Sequence, residues 1–168
     1  MSDTFRIDSH KLHFHPEKVA NWLKGENIYP VYMEISPAGP CNHRCIFCAF
    51  DYLNYRAQFI DTKRMKEILS ELGTLGIKSI MYAGEGEPFL HKDMSELVVY
   101  TKKCGIDVAV ASNGVLWDKT KVEATLPVMT WIRISLNAGT KEDYIKIHNA
   151  REKDWDILFD NLRYAVKL

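Results

Sequence analysis

The fold is most clearly indicated by a short apolar stretch in the middle of the chain, Ile77-Lys78-Ser79-Ile80-Met81-Tyr82-Ala83. This stretch is typical of a β-strand. Residues 62–75 before it and residues 93–104 after it carry apolar side chains at helical spacing. A strand between two helices of this length predicts a βα repeat with parallel neighbouring strands.

The same alternation extends along most of the chain. We expect further strands over 31–36, 107–111 and 131–136, and further helices over 117–126, 140–147 and 154–168. Asp93 and Glu96 resemble a capping box at the start of one helix, and Gly105 fits its end. The pattern βαβαβαβα predicts an α/β fold, in which ligands bind where the parallel strands end.

Composition and charge exclude several classes of protein. The chain has 168 residues, the size of one domain, with 46% hydrophobic and 26% charged residues. Its 22 Lys and Arg balance 22 Asp and Glu, which argues against a nucleic-acid partner. No apolar run is long enough to span a membrane, and residues 1–11 lack the apolar core of a signal peptide. We therefore expect a cytoplasmic protein with no membrane partner.

Three of the four cysteines lie within eight positions, directly after the first predicted strand. Cys41, Cys45 and Cys48 have the spacing C-x3-C-x2-C, which favours a metal or cluster site over disulfides. Three thiolates that hold a cubane cluster leave one iron without a protein ligand, so that iron can bind a small molecule. The alternative is a zinc site, with His43 between the cysteines.

These cysteines, with Phe47 as the aromatic residue, resemble the C-x3-C-x-aromatic-C motif of the radical S-adenosylmethionine enzymes. Three further motifs follow the next three strands in order: Gly84-Glu85-Gly86-Glu87-Pro88, Ser112-Asn113-Gly114 and Ser135-Leu136-Asn137. The first is similar to the family's G-G-E-P, with Glu85 in place of a glycine. The resemblance covers most of residues 32–168 and implies a partial (βα) barrel, of which about four βα units are present.

The resemblance also implies a set of site residues. The ligands of a [4Fe–4S] cluster are Cys41, Cys45 and Cys48. The contacts to S-adenosylmethionine are Phe47, Gly86, Glu87, Asn113, Ser135 and Asn137. Phe47 is expected near the adenine, Gly86 to let the backbone approach, and Glu87 to accept from the cofactor's ammonium. The three remaining polar residues are expected to contact ribose or carboxylate.

The implied reaction is reductive cleavage of S-adenosylmethionine to a 5′-deoxyadenosyl radical, which abstracts a hydrogen atom from a substrate. The electron donor would be a flavodoxin- or ferredoxin-like protein. Residues 135–140, Tyr144 and His148 resemble the subgroup that modifies ribosomally made peptides, epimerases among them. The alternatives are a glycyl-radical activating enzyme, a sugar- or nucleoside-modifying enzyme, and a non-catalytic iron–sulfur or zinc scaffold.

We expect residues 1–30 to form a lead-in and residues 31–168 the core domain. Four βα units are fewer than the family's usual six, which predicts a fragment, a partner that covers the sheet edge, or a small variant. Strand alternation places Glu34 and Arg133 on the inner face, as an ion pair or as substrate contacts.

Several other side chains are expected to have lesser roles. We expect Cys104 to pack in the core. His43 and Arg44 are expected to be solvated, although either could tune the cluster. A further expectation is that three aromatic residues cover the cluster: Tyr52, Tyr55 and Phe59.

Overall fold

The computed structural model describes residues 11–52 and 58–168. A parallel sheet in the order β1-β2-β3-β4 is formed by Tyr32–Ile35, Ser79–Tyr82, Asp107–Ser112 and Trp131–Ile134. Each strand pairs with the next one along the chain. The predicted α/β class and the four βα units are therefore confirmed, although β1, β2 and β4 are two or three residues shorter than predicted and β3 is one residue longer.

Seven α-helices are formed within the described residues: α1 Pro16–Leu23, α2 Ala49–Tyr52, α3 Thr62–Thr74, α4 Met94–Lys103, α5 Lys119–Thr125, α6 Lys141–His148 and α7 Glu152–Lys167. Short 3-10 turns lie at Leu12–Phe14 and Pro88–Leu90. The sequence analysis did not predict α1 or α2. Pro16 at the first turn and Glu17 beside it are start signals that could have revealed α1.

The two faces of the sheet differ in composition because successive side chains of a strand point to opposite sides. The face toward the helices is the main core, where Ile80, Tyr82 and Val110 are fully buried with Leu69 and Leu97 of α3 and α4. The other face carries a smaller apolar cluster of Met81, Ala83 and Ala109, with Tyr32, Ala111 and Trp131 packed against it. Its small side chains leave space above the sheet near the carboxyl ends of the strands.

The helix ends confirm one sequence prediction and correct another. Gly105 follows α4 with φ +76°, as a glycine that ends a helix does. The predicted capping box at Asp93 and Glu96 is wrong, because the Asp93 carboxylate accepts the hydroxyl of Thr62 on α3 at 2.5 Å. Asp93 thus links α3 to α4 instead of capping its own helix.

Cys104, at the end of α4, packs against the main core as predicted. Its carbonyl lies so close to Gly73 of α3 that a Cβ there would meet it at 2.6 Å. Across the part of the chain that the structure describes, no helix is both long enough and apolar enough to cross a bilayer.

Candidate functional site

A cavity of about 310 Å³ opens at the carboxyl end of the sheet. Its lining comes from the carboxyl ends of β3 and β4, from the segments that follow each of the four strands, and from the end of α6. The nine site residues predicted from the sequence all line it: Cys41, Cys45, Phe47, Cys48, Gly86, Glu87, Asn113, Ser135 and Asn137. Residues up to 96 positions apart along the chain therefore meet in one place, as the parallel topology requires.

Glu87 is the most deeply buried charged residue of this lining, with 2% of its surface exposed. Its Oε1 accepts the Ser112 hydroxyl at 2.7 Å and the Phe89 N–H at 3.1 Å, and its Oε2 accepts the Asn113 N–H at 2.8 Å. Burial raises the pKa of Glu87, and the three donors oppose that rise. Glu87 therefore ties the segment after β2 to the segment after β3.

Gly86 lies directly beneath the chain that leads into the cysteine loop, residues 41–48. A Cβ on Gly86 would lie 2.2 to 2.5 Å from the carbonyl oxygens of Ala38, Gly39 and Pro40. The N–H of Glu87 donates to the Pro40 carbonyl at 2.9 Å. The close approach that requires glycine here is thus between two protein segments.

Asn113 connects the segment after β3 to the cysteine loop. Its side-chain amide donates to Oδ1 of Asn42 at 2.8 Å, and its own Oδ1 accepts the Val115 N–H at 3.0 Å. Asn137, after β4, adopts a left-handed conformation with φ 49°, which asparagine tolerates better than most residues.

The cysteine loop also docks on the end of α6. The N–H of Arg44 donates to the His148 carbonyl at 3.1 Å, and the N–H of Ile46 donates to the Ile147 carbonyl at 2.9 Å. Phe47 lines the cavity with 59% of its surface exposed. The three cysteines of the loop are half-buried. Burial raises the pKa of the Cys41 thiol, and the His43 backbone N–H lowers it in part.

His148 also lines the cavity, although the sequence analysis named it only as part of a subgroup motif. It is fully buried, its Nδ1 lies 3.1 Å from the Sγ of Cys45, and its Nε2 lies 2.8 Å from the Leu136 carbonyl. The ring is packed against Tyr144, four residues earlier on the same face of α6, with ring centroids 4.5 Å apart. Two aromatic rings four residues apart on one helix are the sequence signal that could have predicted that His148 is buried.

The expectation that His43 is solvated is wrong, because only 3% of its surface is exposed. Its ring lies 5.5 Å from that of His148, and its Nε2 lies 3.4 Å from Oδ2 of Asp154. Asp154 is itself fully buried and is held by Arg151 at 2.8 Å. Burial lowers the pKa of His43, and the carboxylate of Asp154 opposes that effect. Arg44 is exposed, as predicted.

Glu34 and Arg133 lie on the inner face, as strand alternation predicts. The Tyr32 hydroxyl donates to Oε1 of Glu34 at 2.6 Å, and the positive charge of Arg133 also acts on that hydroxyl. Burial raises the pKa of Tyr32, as does the bond to Glu34. Among the described contacts Glu34 and Arg133 form no direct ion pair, so the predicted pair is wrong, and Glu34 is instead bonded to the Tyr32 hydroxyl. Arg133 also lines the cavity.

The predicted aromatic cover of the cysteines is not formed by Phe59, which packs edge-on against His91 and lies outside the cavity lining. Tyr55 and the side chain of Tyr52 lie outside the described residues.

Comparison with known proteins identifies the family. The family model described as the Radical SAM superfamily matches residues 35–168. The chain belongs to the Radical SAM superfamily. This membership confirms the resemblance stated from the sequence motifs. Enzymes of the superfamily use a [4Fe–4S] cluster and S-adenosylmethionine, in agreement with the predicted cofactors.

Two curated relatives have names that indicate their reactions. The S-adenosylmethionine-dependent nucleotide dehydratase of Lacinutrix mariniflava is 27% identical over 66% of this chain and 24% of its own length. The GTP 3′,8-cyclase of Clostridium acetobutylicum is 28% identical over 70% of this chain and 38% of its own length. The radical SAM chain thus spans well under half of the relatives it matches.

Solved structures show the same fold. Streptococcus suis SuiB bound to S-adenosylmethionine has a TM-score of 0.71 at 22% identity, covering 93% of this chain and 36% of SuiB. SuiB bound to its precursor peptide SuiA has a TM-score of 0.73 at 21% identity, covering 99% of this chain and 37% of that one.

Proposed function

We propose that this radical SAM chain holds a [4Fe–4S] cluster through Cys41, Cys45 and Cys48 and binds S-adenosylmethionine beside it for reductive cleavage. The supporting observation is that the nine residues assigned from four separate motifs line one cavity. Held by these three cysteines, a reduced cluster would supply the electron for cleavage of S-adenosylmethionine, and the bound cofactor would supply the radical that takes a hydrogen atom from the substrate.

The donor set fits an iron–sulfur cluster. Three half-buried cysteine side chains border the same cavity from one loop, and thiolate sulfur is the ligand that iron–sulfur clusters use. The backbone carbonyl oxygens of residues 38–40 lie against Gly86. The Asn42 side chain accepts a hydrogen bond from the Asn113 amide. These contacts hold the start of the loop that carries the three cysteines.

The polar groups around the cysteines fit a cofactor that carries an ammonium, a carboxylate and ribose hydroxyls. Oε2 of Glu87 accepts one protein hydrogen bond among the described residues, so a carboxylate oxygen can accept another from an ammonium. The amide of Asn113 donates one of its two hydrogens to Asn42. Ser135 and Asn137 present neutral groups from the end of β4, and Ala83 and Ala111 leave room between these walls.

Cofactor cleavage is tested by anaerobic reconstitution with iron and sulfide, followed by reduction with S-adenosylmethionine present. We expect about four irons per chain and formation of 5′-deoxyadenosine. The variant with Cys41, Cys45 and Cys48 replaced by Ala should form neither. Cys104→Ala is the matched control, because Cys104 packs at the core away from the cavity lining, and it should keep both. Equal iron and nucleoside in the triple variant would contradict the proposal.

For the substrate we propose a ribosomally made peptide. Support comes from the motif at residues 135–148 and from the fold likeness to SuiB in a complex with its precursor peptide. A nucleotide is the second candidate, because both curated relatives described above are named for nucleotide reactions.

The two substrate classes separate in one labelling experiment. A precursor peptide encoded beside the gene, perdeuterated, is offered in one arm, and deuterated GTP in the other. Transfer of deuterium into 5′-deoxyadenosine from the peptide alone supports the first candidate, and transfer from GTP alone supports the second. Transfer only from a third arm, a large glycyl-radical protein deuterated at its glycines, would favour an activating enzyme. Reduction by purified flavodoxin or ferredoxin in place of a chemical reductant tests the proposed electron donor.

A further inference from the structure

Three side chains beside the cavity come close enough to share a single metal ion. The ligand atoms of His43, Cys45 and His148 all lie within 4.8 Å of one another. The two histidines are 3% and 0% exposed, and Cys45 is half-buried. Imidazole nitrogen and thiolate sulfur are the donors that Zn²⁺ uses most in proteins. Two members of this trio are not ligands of the proposed cluster.

His148 has the surroundings of a metal-binding histidine. A carbonyl oxygen only accepts hydrogen bonds, so Nε2 must carry the hydrogen that faces Leu136 at 2.8 Å. In the neutral ring, Nδ1 then offers its lone pair toward Cys45, whose Sγ is 3.1 Å away. Histidines that bind metals usually donate their other N–H to a carbonyl or a carboxylate, which fixes the ring in this way.

His43 supplies the second, independent observation. Its Nδ1 is buried and lacks a hydrogen-bond partner among the described residues, which is rare for buried polar atoms. Its Nε2 faces the Asp154 carboxylate at 3.4 Å, which is long for a hydrogen bond. A carboxylate in this position can orient the ring of a metal-binding histidine. His43 thus brings a buried ring nitrogen that has no hydrogen-bond partner among the described residues to a group of three potential metal ligands.

We propose that His43, Cys45 and His148 form a mononuclear site for a borderline divalent cation, Zn²⁺. In a tetrahedral zinc site with ordinary bond lengths, sulfur and nitrogen ligands stand about 3.6 Å apart. The 3.1 Å between Cys45 and His148 and the 4.8 Å limit of the trio lie on either side of that value. Binding replaces the thiol hydrogen of Cys45, which leaves as one proton to water, and no oxidation or reduction takes place.

The site has a consequence that rests on the proposed function. Cys45 belongs to both ligand sets, so Zn²⁺ bound by the trio excludes the [4Fe–4S] cluster, and the cluster excludes Zn²⁺. The remaining ligands differ, because the zinc site needs His43 and His148 whereas the cluster needs Cys41 and Cys48. A single bound cation would therefore hold the chain in a form that cannot cleave S-adenosylmethionine.

Cobalt(II) titration of the metal-free, reduced protein under anaerobic conditions tests the ligand set, since thiolate coordination produces charge-transfer absorption. We expect one cobalt per chain in the native protein and in the Cys41→Ala, Cys48→Ala double variant. His148→Gln and His43→Gln should bind at least about tenfold more weakly. His91→Gln is the matched control, because His91 is equally buried but hydrogen-bonded to the Ile60 carbonyl outside the cavity.

The ligand set of the cobalt site decides the outcome. Loss of cobalt binding in the Cys41→Ala, Cys48→Ala variant, with full binding in both histidine variants, would show a site made of cysteines and would overturn the proposal. Circular dichroism of each variant checks folding, and the double cysteine variant decides alone if a histidine variant does not fold. Preloading with Zn²⁺ should slow cluster reconstitution at least about tenfold in the native protein and much less in His148→Gln. Cobalt binding by the native protein, with no 5′-deoxyadenosine formed after cluster reconstitution, would refute the proposed function and leave this site standing.

Discussion

The segments after β2 and β3, residues 84–88 and 112–114, are held very differently from the cysteine loop after β1. In the first region, Glu87, Ser112 and Asn113 are 2 to 7% exposed and share a buried hydrogen-bond network. In the cysteine loop, Ile46 and Phe47 are 73% and 59% exposed, and the loop is held mainly by two backbone hydrogen bonds to α6, by the Asn42 side chain and by the buried ring of His43. Both regions border the same cavity.

The two regions are held differently because one presents a buried carboxylate to the cavity and the other presents cysteine thiols. A buried carboxylate is costly unless protein donors surround it, so the segments around Glu87 are built by the chain's own contacts. Cysteine sulfur is a weak hydrogen-bonding group and needs few such partners. The cysteine loop can therefore keep its sulfurs at the cavity with a lighter framework. Stability and ligand binding should respond separately to changes in the two regions.

The largest expected effect comes from Gly86→Ala, which acts where the two regions meet. The added methyl would lie within 2.5 Å of three backbone carbonyl oxygens, which cannot move as a flexible side chain would. We expect the free energy of unfolding to fall by about 3 kcal/mol, with loss of cluster reconstitution. Urea unfolding and iron content measure the two effects. Gly139→Ala is the control, because its Cβ would meet nothing within 4 Å, and full stability loss there would show that the effect is not steric.

A smaller effect is expected from Glu87→Gln, which is confined to the buried region. The amide cannot accept the Ser112, Phe89 and Asn113 donors together, so we expect a loss of about 1–3 kcal/mol at neutral pH. Urea unfolding of the cluster-free protein measures this change in the free energy of unfolding. Unchanged stability would mean that the network around Glu87 does not hold this region.

The same variant has a defined pH dependence. Burial raises the pKa of Glu87 in the folded protein above 4.5, so the folded state binds its proton more tightly than the unfolded state. The stability that this group contributes is complete below pH 4.5 and is lost as the pH rises through the folded pKa. The advantage of the native protein over Glu87→Gln should therefore shrink as the pH rises. An advantage that grows would show that the three donors outweigh burial.

The sequence was sufficient for the four βα units and for nine residues of the cavity lining, because both follow from the order of the strands and from the position of each motif after its strand. Parallel strands bring the residues that follow them to one edge of the sheet. The sequence alone therefore predicted that Cys41, Glu87, Asn113 and Ser135 lie close together. The partners of these residues could not be predicted. That Glu87 accepts from Ser112, or that Asp93 binds Thr62, depends on side-chain orientations set by packing. The burial of His43 and His148 was not predicted for the same reason, since it arises from the docking of two distant segments.

The smallest expected effect tests the lighter framework of the cysteine loop. Ile46→Pro removes the N–H that donates to the Ile147 carbonyl, and one such bond contributes about 1 kcal/mol. Ile46→Ala keeps the N–H and shortens an exposed side chain, so its cost should stay within about 0.5 kcal/mol. Urea unfolding of both variants, with iron content after reconstitution, separates the backbone bond from the side chain. If Ala costs as much as Pro, the exposed isoleucine itself holds the loop, and the contrast between the two regions fails.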